Sequence, residues 1–95
     1  MHLLGSFLTQ GKSYKGDFEF DSHHKMMLST DMVFGKGQKL VVNLSLPELG
    51  MICVTMEVTA VEKKEGRVVH SLYLAHSDFL NRRKLKKCFL SMKTA

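Results

Sequence analysis

Residues 21–25, with the sequence DSHHK, concentrate the side chains best suited to bind a ligand. Ser22 offers a hydroxyl group, His23 and His24 offer imidazole nitrogens, and Lys25 offers an ammonium group. Such groups contact phosphates or the edges of nucleobases. A metal site is not expected, because adjacent residues on an extended backbone point to opposite sides and no Cys-x-x-Cys or His-x-x-x-His motif accompanies the histidines.

A second chemical feature is a block of cations near the end of the sequence. Residues 81–87 hold five lysines and arginines and no acid, in a chain of formal net charge +5. Such a block attracts phosphate, nucleic acid or acidic protein surface, and it is also typical of the solvated face of a helix. The cations expected to contact a partner are Arg82, Arg83, Lys86 and Lys87.

The sequence offers no catalytic constellation. Cys53 and Cys88 show no metal-ligand spacing, and nothing around either residue predicts an activated thiolate. The acids are scattered, and residues 35–37 (Gly-Lys-Gly) lead into a strand rather than into the helix that a phosphate-binding loop requires. We therefore expect no enzymatic activity, no cofactor and no bound metal.

Alternating apolar and polar residues predict strands from about residue 3 to residue 76. Every second residue in 39–46 is leucine or valine, which is the period of a half-buried strand. Residues 51–62 repeat the pattern. After a hairpin at 63–66 a further strand carries His70 on its apolar face, where a hydrogen-bonded core or interface histidine is expected. The inward positions expected in residues 51–62 are Ile52, Val54, Met56, Val58 and Ala60.

One helix is predicted at about residues 78–92. Ser77 or Asp78 can cap its free N–H groups. An apolar stripe follows at the helical spacing i, i+3, i+4 and i+7, formed by Leu85, Cys88, Phe89 and Met92. The pattern predicts a single domain, residues 1–95, in which a mainly β, curled sheet or small barrel packs against one C-terminal helix.

The order of these parts resembles the PilZ domain, the bacterial receptor fold for cyclic di-GMP. Residues 34–47 (FGKGQKLVVNLSLP) resemble the family's glycine followed by a long strand that ends in Leu-Pro. Residues 56–62 (MEVTAVE) resemble its next strand, and residues 71–78 (SLYLAHSD) resemble its last strand and the polar start of its helix. The resemblance implies a small six-stranded antiparallel β-barrel with one C-terminal α-helix.

The ligand signatures of the family are degenerate in this sequence. PilZ receptors typically use an Arg-x-x-x-Arg segment before the first strand and an Asp/Asn-x-Ser-x-x-Gly turn between the second and third strands. The turn aligns with residues 20–25, where Ser22 is retained, Phe20 replaces the carboxylate or amide and Lys25 replaces the glycine. The arginine segment would fall upstream of Met1. Because a charge-assisted hydrogen bond contributes about 1.5–3 kcal/mol, these losses predict an affinity lower by roughly a thousandfold or more.

The main hypothesis is a degenerate PilZ-like regulatory or adaptor domain in bacterial signalling or motility. It would act by protein contact, with weak or no cyclic di-GMP binding. The residues expected to contact the partner are Phe20, Met26 and Met27, together with the cations Arg82, Arg83, Lys86 and Lys87.

Two alternatives stay open. In the first, the chain is a divergent cyclic di-GMP receptor in which Ser22, His23, His24 and Lys25 contact the nucleotide. In the second, the basic helix binds nucleic acid. No signal peptide and no apolar run of about 18 residues is present, so we expect a cytoplasmic location without a membrane span.

Overall fold

The computed structural model describes residues 2–22 and 24–94, which form six strands followed by one helix. In chain order these elements are β1 (His2–Thr9), β2 (Lys12–Ser22), β3 (Lys25–Thr30), β4 (Lys39–Leu46), β5 (Gly50–Lys64), β6 (Arg67–His76) and α1 (Phe79–Thr94). The predicted strands and helix are therefore confirmed. The helix begins one residue after the predicted start and extends beyond the predicted end. No helix in the described residues is long and apolar enough to cross a bilayer.

The strands close into an antiparallel barrel in the order β1-β2-β3-β6-β5-β4, with β4 pairing back onto β1. Two pairings between strands distant in the sequence complete the closure. Phe7 lies opposite Val42 across β1 and β4, and Leu28 lies opposite His70 across β3 and β6. Closure gives each strand a partner on both sides along part of its length, which removes most exposed sheet edges. This is the barrel that the resemblance to the PilZ domain implies.

Tight turns set the register of two hairpins. Gln10 and Gly11 have φ angles of 51° and 75°, and Glu65 and Gly66 have φ angles of 48° and 81°. Two consecutive left-handed residues form the turn whose twist matches that of the paired strands. The hairpin predicted at residues 63–66 is confirmed.

A bulge between Val58 and Ala60 changes which side chains of β5 face into the barrel. Before the bulge the predicted inward residues are buried, namely Ile52, Val54, Met56 and Val58. An extra residue in one strand reverses which side chains face inward, so Ala60 is exposed and its predicted inward position is wrong.

The helix α1 packs against β4 and β5. Asp78 caps its first turn, because Asp78 Oδ1 accepts a 2.8 Å hydrogen bond from the backbone N–H of Asn81 and the Asp78 carbonyl accepts one of 3.1 Å from Arg82. The predicted apolar stripe faces the barrel, with two buried and two partly buried members: Leu85, Cys88, Phe89 and Met92. The ring of Phe20 lies 6.1 Å from that of Phe89, which links β2 to the helix.

Candidate functional site

The predicted ligand turn connects β2 to β3, which is the place that the resemblance gives it. β2 ends at Ser22 and β3 begins at Lys25, and these two residues pair with each other. A bulge between Phe20 and Ser22 takes Asp21 out of the regular pairing. His23 lies outside the described residues, so its expected role in ligand binding stays a prediction.

The hydroxyl group of Ser22 is engaged within the turn. Its Oγ accepts a hydrogen bond of 3.4 Å from the backbone N–H of His24 and lies 3.4 Å from His24 Nδ1. The carbonyl of His24 accepts a 2.8 Å hydrogen bond from the backbone N–H of Leu74, which fastens the turn to β6. The His24 ring packs edge-on against Tyr73 with a centroid distance of 5.2 Å. The structure thus brings Ser22 and His24 together and adds Tyr73, which the sequence analysis missed.

Lys25 is exposed at the start of β3 and pairs with Tyr73 of β6. Its backbone is that of an ordinary strand, because the positive φ angles among the described non-glycine residues belong to Gln10, Glu48 and Glu65. A Cβ at this position is therefore unstrained.

The apolar residues expected to contact a partner divide between core and surface. Met26 is 2% exposed, so its predicted role in partner contact is wrong: it lies opposite Phe20 and both side chains point into the molecule. Phe20 is partly buried and packs on Phe89, which leaves no polar group at the position where the family reads a base. Met27 lies on the outer face, where its sulfur accepts a 3.6 Å hydrogen bond from the Ser71 hydroxyl.

The predicted cations of α1 are all on the surface, and three large apolar side chains accompany them. Arg82, Arg83, Lys86 and Lys87 are exposed. The exposed fractions of Phe79, Leu80 and Leu90 are 71%, 66% and 50%. The Arg83 guanidinium lies over the Phe79 ring, 5.6 Å from its centroid, at a distance suited to a cation–π contact. The exposed apolar residues of this helix were not predicted, although the same helical spacing places Phe79 and Leu90 on the side opposite the buried stripe.

A shallow concavity of about 630 Å³ lies on the outer surface of the barrel, and no residue of the β2–β3 turn lines it. It lies where Gly5 of β1 pairs with Gly16 of β2. Its polar lining includes Lys15, Asn43 and Arg67. The Arg67 side chain donates a 3.3 Å hydrogen bond to the carbonyl of Ser29, which holds that cation across β3.

His70 is a core residue, as predicted. It is fully buried, and its Nε2 accepts a 2.9 Å hydrogen bond from the backbone N–H of Phe34. Burial lowers the pKa of His70, and the nearby backbone of Leu28 opposes this effect in part. An imidazole that accepts a hydrogen bond at Nε2 carries its proton on Nδ1, so the neutral ring is the form that fits this site.

The remaining reactive side chains do not assemble in the residues that the structure describes. Within them, no group of three or more histidine, cysteine or acidic residues is placed to hold a metal ion. Both cysteines are free thiols; Cys53 is exposed, whereas Cys88 is buried and burial raises its pKa. A raised pKa disfavours the nucleophilic thiolate of Cys88. The absence of enzymatic activity stays a prediction.

Solved structures provide the comparison for this fold. No protein-family model and no curated protein sequence matches the chain. The structure of K. pneumonia MrkH in its apo state superposes with a TM-score of 0.80 at 19% identity, covering 99% of this chain and 48% of MrkH. The chain shares its fold with about half of MrkH. A second crystal form of K. pneumonia MrkH gives the same TM-score and identity, and covers 46% of that chain.

A further structure of MrkH, described there as a novel c-di-GMP-dependent transcription regulatory factor, also superposes with a TM-score of 0.80 at 19% identity. It covers 98% of this chain and 46% of MrkH. The present chain therefore spans about half the length of the MrkH chains. At this identity the likeness concerns the fold.

Proposed function

We propose that the chain is a PilZ-like regulatory domain of cyclic di-GMP signalling that acts through protein contact and does not bind the nucleotide tightly. The observation that supports the proposal is the state of the β2–β3 turn. Phe20, in the place of the base-reading carboxylate or amide, packs on Phe89, and the Ser22 hydroxyl is engaged by His24. Phe20 therefore offers guanine no polar group, and part of the hydrogen-bonding capacity of the Ser22 hydroxyl is already used within the turn.

The link to cyclic di-GMP rests on two supports. One is the PilZ-like barrel, and the other is the likeness to MrkH, which is described as c-di-GMP-dependent. Because the chain spans only about half of MrkH, we do not propose that it regulates transcription.

The proposed protein contact uses the outer face of β3 and β6 beside the turn. Lys25 and Tyr73 are exposed there, and Met27 is partly exposed. A flexible thioether and an amphipathic aromatic ring are side chains that protein interfaces favour. A cation beside them suits a partner with an acidic rim, because charge at the rim steers association.

Calorimetric titration with cyclic di-GMP tests the proposal. We expect no saturable heat up to roughly millimolar nucleotide, because Phe20 cannot make the hydrogen bond of the carboxylate or amide that it replaces. A PilZ receptor that carries both intact signatures serves as the positive control. Saturable binding at micromolar or lower concentration, with one or two nucleotides per chain, would overturn the proposal.

A divergent receptor is the second candidate, and the convergence of polar and aromatic groups at the turn favours it. Ser22, His24 and Lys25 surround a short segment next to the Tyr73 ring, and an exposed aromatic ring can stack on a base. Under this alternative, any measured affinity must fall when His24 and Lys25 are changed to alanine. The matched control is Lys36→Ala, which removes an exposed cation from the β3–β4 connection.

A further inference from the structure

The charge of the chain is segregated between the helix and the barrel. Of the 14 lysines and arginines, six belong to the sequence of α1, which contains no acid. The rest of the chain carries eight cations and nine acids, so it is close to neutral. The positive potential of the molecule therefore originates from one helix.

The exposed side of α1 carries cations between large apolar residues. Phe79, Arg83, Lys87 and Leu90 follow one another at spacings of three or four residues, which places them along one line of the helix surface. This line extends for about 16 Å, at 1.5 Å of rise per residue. Leu80 lies beside its N-terminal end, and its exposed fraction of 66% is close to the 71% of Phe79.

Two kinds of anionic partner could bind the cations on this face of α1: a nucleic acid and an anionic lipid bilayer. The phosphates of a nucleic acid would satisfy the arginines and lysines but would leave Phe79, Leu80 and Leu90 against a polar backbone. An anionic bilayer accommodates both kinds of side chain at once. Lipid phosphates bind the cations, and the boundary between headgroups and acyl chains receives the apolar residues.

We propose that the exposed face of α1 docks on an anionic lipid bilayer, with Arg82, Arg83, Lys86 and Lys87 at the headgroups and with Phe79 and Leu80 inserted beneath them. Docking of this kind is peripheral. The opposite stripe of the helix stays on the barrel through Leu85 and Cys88, so binding needs no unfolding. The proposal goes beyond the proposed function, because it assigns a second surface and a lipid partner.

Vesicle flotation tests this docking. Vesicles of phosphatidylcholine alone are compared with vesicles in which about a third of the lipid is phosphatidylglycerol, in buffer near physiological salt. We expect the protein to float only with the anionic vesicles. The variant R82Q/R83Q/K86Q/K87Q should lose about a hundredfold or more in partitioning, at about fivefold for each cation. The variant F79Q/L80Q should lose about tenfold or more, because its apolar side chains no longer enter the bilayer.

Matched control variants distinguish the effect of the helix face on partitioning from the effect of total charge and total exposed apolar surface. K12Q/K36Q/K39Q/K63Q removes four exposed cations from the barrel, and M32Q/V33Q removes two exposed apolar residues from the β3–β4 connection. Both controls should partition within a few-fold of the original chain. Circular dichroism of every variant confirms that the barrel is intact.

Three outcomes overturn the inference. These are failure of the original chain to float with anionic vesicles, equal losses for the barrel and helix cation variants, and full partitioning of F79Q/L80Q. A gel shift of duplex DNA without vesicle flotation would assign the face to nucleic acid instead. The assay contains no nucleotide and the calorimetric titration contains no lipid, so either proposal can fail while the other stands.

Discussion

The backbone N–H of Phe34 donates a 2.9 Å hydrogen bond to Nε2 of His70, and both residues are buried. Phe34 belongs to the connection between β3 and β4, which has no regular structure of its own. Its ring lies 5.3 Å from that of Phe7 and 5.3 Å from that of Tyr14, each at a steep angle. One histidine of β6 thus anchors a connection whose aromatic residue packs into the barrel core.

Replacement of His70 by leucine should destabilise the fold. The variant leaves the Phe34 N–H buried without an acceptor, which costs about 1–3 kcal/mol of the free energy of unfolding. His70→Gln keeps an acceptor oxygen near the same place and should lose less. Urea denaturation of both variants measures the difference. A leucine variant that is as stable as the original chain would contradict the structural role of the hydrogen bond.

Stability should fall as the pH drops below about 6.5. Burial holds the pKa of His70 below its ordinary value of 6.5, against a smaller opposing effect of the Leu28 backbone. In that range the unfolded chain binds a proton that the folded chain does not, so acid favours unfolding, with a slope of at most about 1.4 kcal/mol per pH unit from this one group. Above 6.5 the histidine is neutral in both states and contributes no slope.

The comparison of His70→Gln with the original chain isolates this effect. Denaturation midpoints of both proteins are measured between about pH 7.5 and about pH 5. The original chain should lose stability more steeply than the variant. Parallel curves would show that His70 keeps its ordinary pKa in the folded protein.

The sequence predicted much of the fold because alternation and turn residues are local signals. The apolar period of β4 and the buried stripe of α1 needed no tertiary information. The bulge in β5 could not be predicted, since it depends on how Val58 and Ala60 are matched with Leu72 and Ser71 of the next strand. One extra residue reversed the expected orientation of Ala60.

The sequence predicted where the candidate site lies between the strands, but not which way its side chains point. The sequence located the turn between β2 and β3 and named Ser22 as its retained residue. It could not show that Met26 points into the core beside Phe20. The turn interrupts the alternation of apolar and polar residues that would have shown which side chains of β3 point inward. Tyr73 reaches the turn only because β6 pairs with β3 across the closed barrel.

Alanine at Gly5 should be more destabilising than alanine at Gly16, its partner across β1 and β2. A Cβ at Gly5 would lie 2.8 Å from the carbonyl oxygen of Asn43, which is backbone of the paired strand and cannot turn aside. A Cβ at Gly16 would meet chiefly a methyl group of Leu28, which can move by a change of rotamer. Overpacking of this kind costs about 1–3 kcal/mol, and we expect Gly5→Ala near the upper end.

The matched control for these variants is Gly35→Ala. A Cβ there would have no neighbour within 4 Å, and the backbone does not require a positive φ. Chemical denaturation should place this control within about 0.5 kcal/mol of the original chain. If Gly5→Ala and Gly16→Ala lost the same free energy of unfolding, the backbone of β4 would shift away from β1 as easily as the Leu28 side chain rotates.

The two thiols should differ sharply in reactivity. Cys53 is exposed on β5, whereas Cys88 is buried against the barrel and its pKa is raised by burial. Ellman's reagent should therefore modify one thiol per chain in native buffer and both in denaturant. Cys53→Ser should abolish the native reaction and Cys88→Ala should preserve it. Rapid native labelling of the Cys53→Ser variant would mean that α1 detaches from the barrel readily.

Restoring the two lost positions of the ligand turn should not create a nucleotide site. The variant F20D/K25G rebuilds the family's pattern around Ser22, but it also removes the ring that packs on Phe89 and places a carboxylate in partly apolar surroundings. We expect a loss of about 1–3 kcal/mol in the free energy of unfolding and no micromolar affinity for cyclic di-GMP, because neither substitution adds a cation that could bind the phosphates. K25G alone is the control, and it should lose only about 0.5–1 kcal/mol as a glycine in a strand. Micromolar binding by F20D/K25G would show that the barrel surface already holds the phosphate contacts, and that Phe20 and Lys25 block the site.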